Sequence, residues 1–406
     1  MPQNDTSGEA LRLQDGIYFR SGEGPPRSYR LVLLNVSEDA TPARARTAIA
    51  SVWAMLRELR DGVVEDLKPE RVDHGNLTCL LGFGARLFDP GRNLTPNGQR
   101  PERLVRPDHD GYGPFPRLKW VESEGRPDEA DLALQLIGDT ELAVNRAVVE
   151  VYRLIRQEPR SLELVTFYGG FNREDKRSWL NFHDGVSNLH ASERAAAIEV
   201  PVANPPWDPG WMVGGTYMVF LRLALKLEDW WTLPRNLQEI IVGRDKLSGC
   251  PLESVEEPGL VPVPAPGCPL RPGHPEVAEH KDPQSPPLGQ LVALSHMHRV
   301  NPTRRGPTSS GSNRIFRQGY EFLEPLAEGR LRPGLNFVSF QCDLARFENI
   351  LTTAPWLKTV NFGGPDDRSD IPNIELARIM AGGYYAVPPK AVPPSFPGAE
   401  IFLEGA

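Results

Sequence analysis

The sequence predicts an α+β protein made of two ferredoxin-like domains, each an antiparallel sheet with peripheral helices. Three observations carry this. Short β-rich apolar runs alternate with amphipathic stretches in the order strand, helix, strand, strand, helix, strand. That order occurs twice. The chain has 406 residues, enough for two domains of ordinary size. The repeat is one of element order, since no residue-level period accompanies it.

Tyr29–Val36 (YRLVLLNV) is a β-rich run that opens the first half. Thr41-Pro42 supplies an N-cap and a first-position proline, and Ala45, Ile49, Val52, Trp53 and Leu56 follow at helical spacing, so about 42–60 is a helix with one buried face. Asn76–Phe83 and Leu132–Ile137 read as strands, Glu141–Arg156 as a second amphipathic helix, and Leu162–Tyr168 as the strand that closes the half. In the second half Thr216–Leu225 is a strand and Leu227–Trp231 opens a helix. Leu335–Gln341, Asp343–Thr353 and Tyr384–Val387 then read as strand, helix and strand. The expected domains are 1–170 and 171–406, the latter with a Pro/Gly-rich loop at about 250–290.

A net charge of -8 leaves no electrostatic footprint for nucleic acid or an anionic membrane surface. No apolar run approaches the roughly 20 residues that cross a bilayer. The N-terminus MPQNDTSGEALRLQDG lacks a basic-then-apolar signal and a twin arginine, so the expected compartment is the cytoplasm. Cys79, Cys250, Cys268 and Cys342 form no C-x-x-C pair, and free thiols are expected. An exposed sheet edge leaves room for a homo-oligomer.

Three constellations could carry chemistry. The first is His296/His298 in SHMHRVNP, just after the apolar run Leu291–Leu294, where one imidazole can turn inward as a ligand or as a satisfied core histidine. The second is Asn181–Asn188 (NFHDGVSN), whose Asp-Gly is a turn signal. Asp184 there either caps its own backbone or is held as a carboxylate at a cavity wall. The third is Arg314–Phe322 (RIFRQGYEF), where a strand would send Arg314 and Arg317 to opposite faces, one of them to an interior site. Solvated arginines beside a buried strand are the competing account.

Together, and in this order, these segments resemble the dye-decolourising (DyP-type) haem peroxidases. LLGFGARLF (80–88) is similar to a glycine-rich segment of that family, and NFHDG (181–185) to its G-x-x-D-G signature. GGTYMVFLRLALKLEDW (214–230), VGRDKLSGCPL (242–252), SHMHRVNP (295–302), RIFRQGYEF (314–322), GLNFVSFQCDLARFE (334–348) and GGYYAVPP (382–389) follow in the family's order and spacing. The resemblance implies one haem b per chain in the C-terminal half. It implies hydrogen peroxide and small organic reductants as partners, and a reaction through a ferryl intermediate that oxidises dyes or phenols in one-electron steps. It makes His296 the proximal iron ligand and Asp184 and Arg317 the catalytic pair. Leu335 and Phe337 become pocket-lining residues and Arg299 a haem-propionate partner. A haem carrier or sensor with little turnover is the alternative. Two positions depart from the pattern. Asn181 replaces the first glycine of the signature: if the position needs a positive φ the turn survives, and if it needs no side chain near haem, peroxide access is altered. Gly319 stands where some members carry a distal asparagine. Trp230 and Trp231 are candidates for a surface relay to bulky reductants, or for ordinary packing.

Overall fold

The computed structural model describes residues 12–18, 25–96, 99–104, 126–127, 130–158, 161–185, 189, 191–202, 208–256, 258–265, 290–293, 295–300, 312–353 and 376–402. The first half contains β1 (Ser28–Val36), α1 (Pro42–Arg60), β2 (Thr78–Gly84), β3 (Arg126–Pro127), β4 (Leu132–Gly138), α2 (Glu141–Gln157) and β5 (Leu162–Phe171). The second contains α3 (Ala191–Ile198), β6 (Thr216–Leu225), α4 (Leu227–Thr232), α5 (Arg235–Val242), β7 (Leu252–Glu256), β8 (Val261–Pro264), α6 (Gln290–Ala293), α7 (His296–Val300), β9 (Phe316–Pro325), β10 (Leu331–Gln341), α8 (Ala345–Thr353) and β11 (Ala377–Val387).

Local chemistry starts the two long helices where the sequence places them. Thr41 Oγ1 accepts the Arg44 N–H at 3.3 Å, and Thr140 Oγ1 accepts the Ala143 N–H at 3.2 Å, each satisfying a donor the helix itself cannot.

The principal strands form two sets of four with the same internal order, β2-β4-β1-β5 and β9-β10-β6-β11. This is the ferredoxin-like arrangement used twice. The sets join where Phe171 of β5 faces Glu321 of β9, and again where Gly84 and Phe83 of β2 face Tyr385 and Ala386 of β11. The second junction gives the outer strands partners instead of leaving an open edge. One apolar cluster fills the space between the sets. It contains Tyr29, Leu31 and Leu33 of β1 with Phe220, Tyr320, Val338, Phe340 and Tyr385 of the second half. Tyr29 and Tyr320 stack across it with ring centroids 4.3 Å apart. The outer face of the first set is covered by α1 and α2 through Ile49, Val52, Leu56, Val144, Val148 and Val151. On the second set α8 packs outside, and Phe347 lies 6.0 Å from Phe337 and 6.3 Å from Tyr384. A third, smaller cluster ties α4, α5 and α6 to Leu180 and Phe182.

Several expectations change. β9 begins at Phe316, so Arg314 precedes the strand and the argument from opposite faces does not apply to it. Arg314 instead approaches Glu193 at 3.8 Å. β10 starts at Leu331 and β11 at Ala377, both earlier than their apolar runs suggest, because ladder pairing to β9 and β6 carries the backbone through Pro333, Gly334, Gly382 and Gly383. The loop expected at about 250–290 begins with the small hairpin β7–β8. The expectation of free thiols holds for Cys79 and Cys342 and fails for Cys250, which is disulfide-bonded. Spacing along the chain does not report which cysteines the fold brings within bonding distance, so the lack of a C-x-x-C pair does not exclude a disulfide. The support that four free thiols lent to a reducing compartment is therefore lost; Cys268 lies outside the described residues. Trp230 is buried against Phe182 at 6.2 Å, whereas Trp231 is exposed. Among the described residues, no helix is long and apolar enough to cross a membrane.

Candidate active site

Alternation along β9 sends Phe316, Gln318 and Tyr320 towards the space between the sheets and Arg317, Gly319 and Glu321 to the outer face. On β10, Ser339, Phe337 and Leu335 lie opposite those last three. Directly paired residues share a face, so Leu335 and Phe337 lie on the face that carries Arg317, opposite Glu321 and Gly319 respectively. Gly319 marks the meeting point. A Cβ built there would lie 3.2 Å from Leu335 Cδ1, 3.5 Å from Asp184 Oδ2 and 3.7 Å from an Arg173 nitrogen.

Asp184 arrives from a doubled-back segment after β5. The Ser178 N–H donates to Phe182 O at 2.9 Å, and the Asp184 N–H donates to Lys176 O at 2.9 Å. Asn181 sits in this turn at φ +65° and is exposed. The backbone therefore uses the left-handed conformation that glycine favours and asparagine tolerates. Arg177 anchors the turn, donating to Lys246 O at 2.9 Å and to Leu247 O at 3.2 Å. Asp184 Oδ1 accepts the Gly185 N–H at 2.7 Å, so the local capping account is correct as far as it goes. Its other oxygen is ion-paired with Arg173 Nη2.

Arg173 bridges two carboxylates. Its Nη1 is 2.8 Å from Glu321 Oε1, and that same oxygen accepts the Trp179 N–H at 2.7 Å. Loss of surrounding water pushes the partly exposed Asp184 carboxyl up, but the charges of Arg173 and Arg317 outweigh it and hold the group below the usual carboxylate range. Glu321 goes the other way: burial raises it, and Arg173 only partly offsets the effect.

His296 opens α7. Gly243 closes α5 at φ +88°, and a Cβ there would collide with Ser295 and come within 3.3 Å of Met297 Cβ. The bare backbone thus lets the end of α5 seat the His296 segment. Burial, then the charges of Arg317 and Arg244, pull the His296 imidazole down to about 4, with Asp184 opposing them. The side chain is thus neutral and feels both Arg317 and Asp184. His296 is half-buried; His298 is the more buried of the two but lies two residues on, which on a helix is not the same face.

The sequence-predicted residues Asp184, Arg317 and His296 therefore act on one another electrostatically, with Leu335 against Gly319 and Phe337 on the same sheet face as Arg317. The Arg299 side chain lies outside the described residues. Sequence reasoning missed Arg173, Glu321 and Arg244. The available signal was a carboxylate at 321 inside a run otherwise fit for a buried strand.

A family model described as "Dyp-type peroxidase, C-terminal" matches residues 175–392. The deferrochelatase of Yersinia pseudotuberculosis serotype I is 29% identical over 310 residues, covering 73% of this chain and 62% of that protein. The deferrochelatase of Shigella flexneri serotype 5b is 28% identical over 283 residues, covering 67% and 59%. The matches thus span less than two thirds of these relatives' own length. Among solved structures, the DyP-type peroxidase of Streptomyces coelicolor superposes with a TM-score of 0.69 at 21% identity over 94% of each chain. DtpA of Streptomyces lividans in its ferric form does so at 0.69 and 21% over 96% of each. At that identity these structures speak for the fold, and the family model, which covers more than half of the chain, speaks for descent: this protein belongs to the Dyp-type peroxidase family.

Proposed function

We propose that this chain is a haem-dependent peroxidase that holds one haem b per chain through His296, reduces hydrogen peroxide and oxidises small organic reductants such as dyes or phenols. The observation that carries the reading is the grouping of a neutral, half-buried imidazole with an ionised carboxylate and two arginines near a glycine whose bare backbone lets Leu335, Asp184 and Arg173 come close. The donor set fits the cofactor. A metal takes the neutral form of histidine, and a deeply depressed imidazole is in that form at working pH. Arg299 is assigned to a haem propionate on the family resemblance.

When bound, haem supplies the iron at which the peroxide O–O bond is cleaved and through which electrons are then taken singly from reductants. The chain's own residues handle protons and charge. Asp184, held ionised, accepts the proton from the near peroxide oxygen and returns it to the departing one. Arg317 cannot give up its proton, so it stays a fixed positive charge against the negative charge that develops on the leaving oxygen. Leu335 and Phe337 line the sheet face beside them and keep water from diluting that field.

An absorption spectrum of the haem-reconstituted protein, before and after peroxide, tests this. A histidine-ligated spectrum that survives His298→Ala and is lost in His296→Ala supports the ligand assignment, and the reverse overturns it. Haem binding without any spectral response to peroxide leaves the carrier alternative. Loss of iron with the porphyrin retained would match the activity for which the curated relatives are named.

A further inference from the structure

We propose that Arg173 and Glu321 form a clamp that keeps Asp184 ionised and in place, which makes both of them positioning residues for the peroxide reaction. The inference rests on the haem-peroxidase reading above.

The geometry is that of a relay of contacts from a buried anchor to a working end. The Glu321 side chain is 3% exposed, Arg173 is 8% and Asp184 is 40%. Arg173 spends one prong of its fork on each carboxylate, Nη1 on Glu321 and Nη2 on Asp184, an arrangement that the planar guanidinium holds in fixed directions. Glu321 in turn is fixed from two sides, by Arg173 and by the backbone N–H of Trp179 in the turn that carries Asp184. The clamp thereby ties β9 to that turn at the point where Gly319 leaves room for it.

The charges make a nearly balanced set. Asp184 is faced by Arg173 from the segment after β5, by Arg317 and Glu321 from β9, and by His296 from α7. His183, next in the chain, is turned away onto Arg177 at 2.7 Å. One guanidinium shared between two carboxylates means that each carboxylate moderates what the other feels. Removing Arg173 makes Asp184 harder to ionise. Neutralising Glu321 leaves the whole Arg173 charge to Asp184 and makes it easier to ionise. Two environments that push neighbouring carboxyls apart in this way are how acid and base roles become separated at a site.

The experiment reads two quantities. One is the acid-side midpoint of the peroxide rate in the haem-loaded protein. The other is the titration of Asp184 in the unloaded protein, followed by NMR with 13C at aspartate Cγ and assigned through Asp184→Asn. Arg173→Gln is expected to raise both midpoints by about one unit, a tenfold slower reaction on the acid side. Glu321→Gln is expected to lower both, and Arg173→Lys, which keeps the charge, to recover most of the shift. The lysine variant also keeps the test open should the glutamine variant fail to fold. A merely structural role gives no shifts of opposite sign. Unmoved Asp184 titration in Arg173→Gln, or shifts in the same direction for Arg173→Gln and Glu321→Gln, overturns the clamp. Shifts as expected in the unloaded protein, with no acid limb that disappears in Asp184→Asn once haem is bound, overturn the peroxidase reading instead.

Discussion

Replacing Gly319 by valine should slow the peroxide reaction about a hundredfold while leaving the fold and haem in place. The magnitude follows from what a side chain would meet. The first added carbon already stands 3.2 Å from Leu335 Cδ1, 3.5 Å from Asp184 Oδ2 and 3.7 Å from an Arg173 nitrogen. Leu335 can rotate its far end away, so alanine is tolerated. Removing a glycine from a strand also gains about 0.5–1 kcal/mol of backbone entropy, which offsets the crowding. The alanine variant should therefore stay within about 1 kcal/mol of the parent in stability. Valine adds two methyl groups beyond contacts that are already close, an overpacking of about 1–3 kcal/mol. Relief requires moving Leu335 or the Asp184–Arg173 pair, and a shift of about 1 Å in a reacting group costs on the order of 100-fold in rate. The assay is stopped-flow mixing of haem-loaded protein with peroxide, with thermal melting alongside. The expected order of rates is glycine, alanine, valine, with the alanine effect only a few-fold. A valine variant that binds haem and reacts at the parent rate would refute the placement of the reacting space beside Gly319.

Other outcomes follow from single features. Arg317→Leu should keep haem and slow the peroxide reaction by about 100- to 1000-fold, the usual loss when a preorganised charge is removed, as read by the same mixing experiment. Asn181→Ala should cost about 1 kcal/mol in chemical denaturation because the backbone sits at φ +65°, and Asn181→Gly should cost nothing. Asp208, buried and accepting the Tyr217 hydroxyl, is pushed up by burial to about 6 from 3.8. Its folded value exceeds its unfolded one, so its contribution is full below the unfolded value and is lost as pH rises through about 6. Asp208→Asn should therefore gain about 3 kcal/mol relative to the parent as pH rises from below about 4 to above about 6, and equal pH dependence of melting in the two proteins would contradict this. Reduction of the Cys250 disulfide should lower stability by about 2–4 kcal/mol, seen as a lower melting temperature in reductant.

The candidate site was partly legible because three of the residues proposed for it sit in local chemical contexts. Asp184 lies in an Asp-Gly turn, Arg317 at the edge of an apolar strand, and His296 in a polar run after an apolar one. Arg173 had no such context. It lies in a charged stretch, FNREDKR, that reads as a solvated loop, and its partner Glu321 is 148 residues away. Nothing local distinguishes it from Arg177, whose guanidinium goes to the backbone of Lys246 and Leu247 instead. In the sequence Glu321 is a polar interruption of an apolar strand, and only the folded turn brings the Trp179 N–H to its carboxylate.

Residue pattern alone determined the α+β class, the doubled strand–helix order, the cap at Thr41 and the positive φ that Asn181 can bear, because each depends on neighbours within a few positions. Tertiary structure decided the rest. It closed the two sheets on each other at β2 and β11, carried β11 through Gly382 and Gly383, bonded Cys250 to another cysteine, and brought Arg173 between Asp184 and Glu321. The physical reason is common to all four. A ladder bond, a disulfide or an ion pair between distant segments forms only where packing has already brought them together, and no periodicity within either segment records that meeting.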